Sequence, residues 1–225
     1  HRILMVLTDG YTSDQEAILS GVYGVVGASL PLVGGTASPG PAGIRTFQLY
    51  GGAVHHEAVV AVAIGSDAPL GVGLRHGWQR VGEPLVVTDC AGTTVRTLND
   101  QPALPLYLDR LGAPPEAYHD PVAFQRFARD RPLGVSRRVG EDVRDVSSSE
   151  YLRQGWLRAN GEIPEGGLVW LMAGDAGSVL AAAGDAATDA AAALAGRPPL
   201  GLLAFDCVSR SDLLGWDGMR HEVDL

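Results

Sequence analysis

Two apolar runs of strand length, each followed by a turn of Asp and Gly, constrain the fold more than any other feature. They are Arg2–Thr8 (RILMVLT) and Leu168–Ala173 (LVWLMA). Continuous apolar segments of this length are typical of strands that are covered on both faces. A helical stretch follows each run, ending near Val26 in the first case and covering Asp185–Ala195 in the second.

A further strand is predicted after each helix, at Leu30–Val33 and at Pro199–Phe205 (PLGLLAF). Because crossovers between strands of one sheet are right-handed, the two strands of each unit should be parallel. The sequence therefore predicts an α/β fold with mixed β-sheets and two βαβ-like halves. Internal duplication and convergence both explain the repeat.

The first half also carries a hairpin pattern. Ile44–Tyr50 alternates apolar and polar residues, Gly51-Gly52 supplies a tight turn, and Val54–Ile64 runs back. This pattern predicts an antiparallel hairpin, which further strands around Leu70–Arg75 and Pro84–Thr88 extend into a meander.

The segment Arg75–Gly112 combines a basic and aromatic turn, two strands around Ala91-Gly92, and a helix from about Pro102 that ends before Gly112. The chain then becomes polar and irregular. We therefore divide it into an N-terminal segment, 1–112, a connecting region, 113–160, and a C-terminal segment, 161–225.

Composition excludes several functions and partners. A net charge of −9 argues against nucleic acid as a partner. No apolar run reaches the roughly 18–20 residues that span a bilayer, so we expect no membrane insertion. Two cysteines without CxxC spacing predict a reducing, cytoplasmic location. The chain opens on His1, without an initiator methionine, so we expect it to be part of something longer.

Strand ends are the first candidate sites, because ligands of open α/β sheets bind beyond the carboxyl ends of the strands. This rule selects Asp9, Gly34-Gly35-Thr36, Gly174-Asp175 and Asp206-Cys207. Asp and Gly also favour turns for purely conformational reasons. An enzyme that uses Asp9 and Asp175 remains an alternative to a binding protein.

A second candidate is Arg75-His76-Gly77-Trp78. Arg75 offers a planar fork for a carboxylate or phosphate, His76 titrates near neutral pH, and Trp78 adds an aromatic wall. Thr88-Asp89 ends a neighbouring strand, where it can hydrogen-bond a polar ligand. The alternative is that Trp78 anchors the core beside a solvated Arg75.

Motifs for other chemistry are missing. The glycine-rich loop Gly34–Gly43 lacks the Lys-Ser/Thr of a P-loop. His55 and His56 are adjacent, so in a strand they point to opposite faces, and we predict no metal site there. Ser178 has no G-x-S-x-G context, and a helix N-cap explains it better. We therefore expect binding rather than catalysis.

The sequence resembles the FIST domain family, which are bacterial intracellular sensory domains. Matching motifs extend over nearly the whole chain: VLTDG (Val6–Gly10), LVGGTAS (Leu32–Ser38), the hairpin Arg45–Ile64, HGW, Val81–Gly112, RPLGV (Arg131–Val135), IPEGGLVWLM (Ile163–Met172) and AFDCVSR (Ala204–Arg210). Family members carry further sequence at both ends, which implies either that a ligand pocket built partly from those pieces is incomplete here or that the protein is a shortened variant.

The resemblance implies a signal-input domain for small ligands such as amino acids, acting on a downstream signalling protein or domain. Cys207 and Arg210 match a family signature. Arg75 or Arg210 would pair with the ligand's carboxylate, and Asp9 or Asp89 would hold its ammonium group. Some family members bind haem as nitric-oxide sensors, so haem with His76 as axial ligand is an alternative, and a protein-interaction scaffold is another.

Overall fold

The computed structural model describes residues 1–10, 14–38, 45–138, 140–147 and 152–224. The chain divides into two compact units, each built from separate chain segments. Unit 1 comprises His1–Leu74 and Asp185–Val208, and unit 2 comprises Arg75–Gly184 and Ser209–Leu225. Helix and strand take 32% and 31% of the chain, in several sheets, so the mixed α/β class is confirmed.

The first βαβ half is present in unit 1 as predicted. Strand β1 (Arg2–Asp9) leads through helix α1 (Gln15–Val26) to strand β2 (Leu32–Ala37). The strands are parallel, with Asp9 beside Ala37 at their carboxyl ends. The carboxylate of Asp14 caps the helix by accepting from the amide of Ala17. The helix was predicted to begin with a capping box at Ser13, which lies outside the described residues.

The predicted hairpin forms, but it is short. Strands β3 (Gln48–Tyr50) and β4 (Ala53–His55) pair across Gly51-Gly52. The returning strand then breaks at Glu57, whose φ of 50° turns the chain. Strand β5 (Val60–Gly65) instead joins the first sheet, antiparallel to β1, in the order β2-β1-β5.

Unit 2 is organised around a larger sheet of eight strands. They are β6 (Gln79–Ala91), β7 (Thr94–Leu98), β8 (Gln101–Pro102), β9 (Leu133–Ser136), β10 (Glu141–Arg144), β11 (Val146–Ser147), β12 (Leu157–Ala159) and β13 (Leu168–Ala173). Their order is β10-β9-β13-β6-β7-β12-β11, with β8 paired to β7. The region 113–160, expected to be irregular, thus supplies four strands.

The apolar core lies within unit 2. Helices α2 (Ala103–Arg110) and α3 (Pro121–Ala128) each contribute buried side chains to it. Its largest fully buried members are Leu85, Leu98, Tyr107, Leu108, Phe124, Leu133 and Leu157. Tyr107 donates its hydroxyl hydrogen bond to the carbonyl of Arg131, which satisfies the one polar atom of this buried ring.

Helices α4 (Ala176–Ala192) and α5 (Val208–Val223, broken at Gly215) are the remaining α-helices of the described residues, and short 3-10 helices lie at Pro115–Tyr118 and Leu152–Gln154. The second βαβ half is incomplete, because the strand predicted at Pro199–Phe205 is wrong. The segment pairs with no strand, and its apolar side chains are exposed. Strand β13 already has β9 and β6 on its two edges, so no edge is open to a parallel partner. Residues 70–75 form no strand either.

Residues 70–74 lie instead against α4 within unit 1. A Cβ at Gly71 would be 1.9 Å from the carbonyl oxygen of Ala190, and one at Gly73 equally close to that of Ala186. Only glycine permits this backbone-to-backbone approach. The two glycines therefore join the early and late segments of unit 1.

Burial differs sharply between the two units. Among the described residues of unit 1, the fully buried ones are one apolar residue, Val6, and four polar ones, Thr8, Asp9, Thr46 and Gln48. Unit 2 buries mainly apolar side chains. No helix in the described part of the chain has the length and apolar character needed to cross a membrane.

Candidate functional site

Polar side chains gather at the carboxyl ends of β1 and β2, in a group that we call the Asp9 cluster. Its members are Thr8, Asp9, Gln15, Thr36, Thr46 and Gln48. Strand ends and the first turn of α1 supply the first four, and the hairpin region supplies the last two. This is where open α/β sheets bind their ligands.

Gln15 ties the two strands to the start of α1. Its Oε1 accepts from the hydroxyl of Thr8 at 2.6 Å, and the hydroxyls of Thr8 and Thr36 are 3.0 Å apart. Its Nε2 donates to the carbonyl of Asp9. These bonds fix the strand ends relative to the helix, so this side of the cluster is preorganised.

Asp9 is the buried acid of the cluster. It is the last residue of β1, a strand of mainly apolar residues, and only 3% of it is exposed. Its Oδ2 accepts from the backbone amide of Glu57 at 3.0 Å. Glu57 is the residue at which the returning hairpin strand breaks. A buried carboxylate requires such donors, because its desolvation is costly without them.

Thr46 and Gln48 bring acceptor atoms that have no hydrogen bond within the described residues. Each residue is 3% exposed, and among the described residues the Oγ1 of Thr46 and the Oε1 of Gln48 have no partner. Phe47 and Leu49, which alternate with them, are 58% and 73% exposed. The segment thus buries its polar face and exposes its apolar face, the reverse of an ordinary hairpin.

Close packing of the strands beneath the cluster depends on Gly34. Its φ is 139°, and a Cβ there would lie 1.9 Å from the carbonyl oxygen of Val6 on β1. The predicted glycine loop Gly34–Gly43 therefore begins inside strand β2. Residues 39–43 of that loop lie outside the described residues.

A second polar group lies in unit 2 around Arg210, which is 7% exposed. Its Nη1 donates to the carbonyl of Val179 at 3.1 Å and to that of His76 at 3.5 Å. Its Nη2 forms an ion pair with Glu222, also mostly buried. The guanidinium thus joins α4, the turn before β6 and α5, and this is a structural role.

His76 and Trp78 lie in the turn before β6, which Arg210 contacts through the carbonyl of His76. The Nδ1 of His76 accepts from the amide of Trp78 at 3.1 Å. Burial lowers the pKa of His76, Arg75 adds to this effect and Glu141 opposes it. Trp78 is buried, and its Nε1 has no hydrogen-bond partner among the described residues.

The hydrogen bond to His76 bears on the haem hypothesis. An imidazole nitrogen that accepts from an amide carries no proton, so the neutral ring holds its proton on Nε2. Iron binds an unprotonated nitrogen. Ligation through Nε2 would therefore require the bond to Trp78 to break, and the turn as it stands does not fit an axial ligand.

The remaining predicted site residues take other positions. Arg75 is exposed, and so is Cys207, whose amide donates to Asp206. Thr88 bonds to the hydroxyl of Thr97 and the amide of Asp100, and Asp89 pairs with Arg96. Thr88 and Asp89 thus hold a hairpin together. Asp175 caps α4 by accepting from the amide of Ser178.

Sequence reasoning selected Asp9 and Thr36 but missed Thr46, Gln48, Gln15 and Glu222. The alternation Thr46-Phe47-Gln48-Leu49 was visible, yet the usual rule turns its apolar face inward. In the described residues, no group of three or more His, Cys, Asp or Glu side chains is arranged to hold a metal ion.

Comparison with known proteins gives the family. No curated protein and no solved structure matches the chain. Two family models match it, end to end: the FIST N domain over residues 1–101 and the FIST C domain over residues 103–225. The chain therefore belongs to the FIST family.

Proposed function

We propose that this protein is a signal-input domain that binds a small molecule at the Asp9 cluster. FIST domains are recognised as sensory-type domains, which supports the general role. The observation that carries the site is the polar interior of unit 1, where four of the five fully buried residues are polar.

A polar interior of this kind favours the state in which a ligand is bound, because the ligand can supply missing hydrogen-bond partners. Burying a polar group without a hydrogen bond costs roughly 1–3 kcal/mol on the scale of protein mutations. A ligand that supplies the missing partners removes this cost and adds its own binding energy. At a concentration 100 times its Kd it would stabilise the folded state by about 2.7 kcal/mol. Ligand concentration would thus be converted into stability of unit 1.

An amino acid or a related amine suits this cluster. The carboxylate of Asp9 would hold the ammonium group, as acids commonly do in charge-assisted hydrogen bonds. Arg210 is less suited to the ligand's carboxylate, because Glu222 and the carbonyl of Val179 already engage it. We further propose a cytoplasmic location and a downstream signalling protein or domain that reads the liganded state.

Thermal unfolding with a panel of amino acids, simple carboxylates and nucleotides tests the function. We expect at least one amine-bearing compound to raise the Tm by several degrees, with slower amide exchange in β1 and β2. Asp9→Asn should abolish the shift. Asp67→Asn, an exposed acid of the same unit, is the matched control and should retain it.

Asp89→Asn separates this site from the other acid that the sequence offers for the ligand's ammonium group, Asp89 in unit 2. If Asp89→Asn rather than Asp9→Asn removes binding, the ligand lies in unit 2. A folded wild-type protein that responds to no compound of the panel would refute the function itself.

A further inference from the structure

We infer that Thr46 and Gln48 are the specificity-determining residues of the Asp9 cluster, and that they select ligands with a primary ammonium group. This inference rests on the function proposed above. It adds two residues that the sequence motifs did not single out as site residues, and it specifies the chemical group that they recognise.

The amide of Gln48 has one permitted orientation. Its Nε2 donates to the carbonyl of Thr8 at 3.4 Å, a long bond between buried atoms. Rotating the amide by 180° would bring Oε1 to that carbonyl, where two acceptors would repel each other. Oε1 is therefore fixed as an acceptor, and it has no donor within the described residues.

Thr46 presents the second unpaired oxygen. Its carbonyl interacts with the Nδ1 of His56 at 3.0 Å, which anchors the backbone. The Oγ1 of the same residue is buried without a partner in the described part of the chain. Thr46 and Gln48 are two residues apart with exposed Phe47 between them, so their side chains share the buried face.

Asp9 accepts from the amide of Glu57, whose neighbour His56 contacts the carbonyl of Thr46, and Gln48 donates to the carbonyl of Thr8 next to Asp9. We take their three acceptors as one ligand site with one negative charge. Asp9 supplies a carboxylate, Gln48 a carbonyl oxygen and Thr46 a hydroxyl oxygen that can accept. A primary ammonium has three N–H donors and a positive charge, which matches this set. N-methylation removes a donor and leaves a buried acceptor unsatisfied, and an α-hydroxy acid loses the charge as well.

The experiment compares each standard amino acid with its N-methyl derivative and its α-hydroxy acid by calorimetric titration. Wild-type protein should bind the primary amine at least about tenfold more tightly than the N-methyl form, the effect of losing one buried charge-assisted hydrogen bond. Gln48→Leu and Thr46→Val should each reduce this preference severalfold. Thr46→Ser keeps the hydroxyl and should keep the preference.

Both test variants should remain folded. Thr46→Val removes a hydroxyl without a partner among the described residues and keeps its shape, so its Tm should be unchanged or higher. Gln48→Leu also removes the long hydrogen bond to the carbonyl of Thr8, so its Tm should fall slightly. Leu49→Ser, on the exposed face of the same strand, is the control and should bind as wild type does.

The outcomes separate the inference from the function beneath it. Wild-type binding with a preference that survives in Gln48→Leu and Thr46→Val would overturn the inference and leave the function standing. Wild-type binding of N-methyl or α-hydroxy compounds as tightly as of amines would do the same. Failure to bind any of the three series would refute the amine-binding function and the inference together.

Discussion

Adjacent glycines of β2 carry very different constraints, and their difference can be measured. Gly34 combines a φ of 139° with a backbone oxygen 1.9 Å from the site of a Cβ, whereas a Cβ at Gly35 would meet only a ring atom of Phe205 at 3.5 Å. The first environment excludes any side chain, and the second is an ordinary contact. The sequence Gly34-Gly35 by itself does not reveal which glycine is required.

We predict that Gly34→Ala lowers the free energy of unfolding by about 2 kcal/mol or more, through strained φ and displacement of β1. Gly35→Ala should change it by less than about 0.5 kcal/mol. Urea denaturation followed by circular dichroism gives both values. Equal losses in the two variants would contradict the register of β1 and β2.

Secondary-structure elements were predicted correctly where the local sequence pattern determines them. They were predicted wrongly where neighbouring strands or helices determine whether an element forms. Strand β1, helix α1 and strand β13 follow from apolar runs and caps, and all three formed. Pro199–Phe205 has the same apolar character as β13, yet it forms no strand, because strand formation also needs an open edge. Thr46 and Gln48 likewise faced inward because of what surrounds them, which local alternation does not encode.

Arg210 and Glu222 lie on either side of the break in α5 at Gly215, and their ion pair neutralises the guanidinium that contacts α4 and the turn before β6. We predict that Glu222→Gln lowers the free energy of unfolding by roughly 3 kcal/mol, because it leaves a mostly buried guanidinium without its counter-charge. Asp89→Asn makes the same acid-to-amide change in the half-exposed pair with Arg96. It should cost less than about 1 kcal/mol.

Urea denaturation of both variants checks this comparison, with the midpoint and slope fitted together. Similar losses would mean that the Arg210 pair is as solvated as a surface pair. A larger loss of unfolding free energy in Asp89→Asn than in Glu222→Gln would contradict the structural role assigned to the pair of Arg210 with Glu222.

At the scale of the whole molecule, the two units differ in what they bury. Unit 2 has a core of aromatic and aliphatic side chains beneath a long sheet, and unit 1 has a polar centre in a three-stranded sheet. Composition is averaged over the chain and conceals this contrast. The family and the α/β class followed from sequence motifs, but the division into discontinuous units did not.

We therefore predict that backbone amides of β9 and β13 exchange with deuterium most slowly, since half or more of their side chains are buried. Amides of β1, β2 and β5 should exchange faster, because most of their side chains are only partly buried or exposed. Exchange followed by mass spectrometry at peptide resolution measures this. Slower exchange in β1 than in β13 would contradict it.

The glycine contacts of residues 71 and 73 with α4 have a consequence for biosynthesis. Unit 1 draws its second segment from Asp185–Val208, so it cannot be completed until the ribosome has translated that segment. The N-terminal strands must wait for more than a hundred residues before Ala186 and Ala190 emerge to meet those glycines. A nascent chain released at residue 101, the end of the FIST N match, would hold every member of the Asp9 cluster and still lack the helix that Gly71 and Gly73 contact.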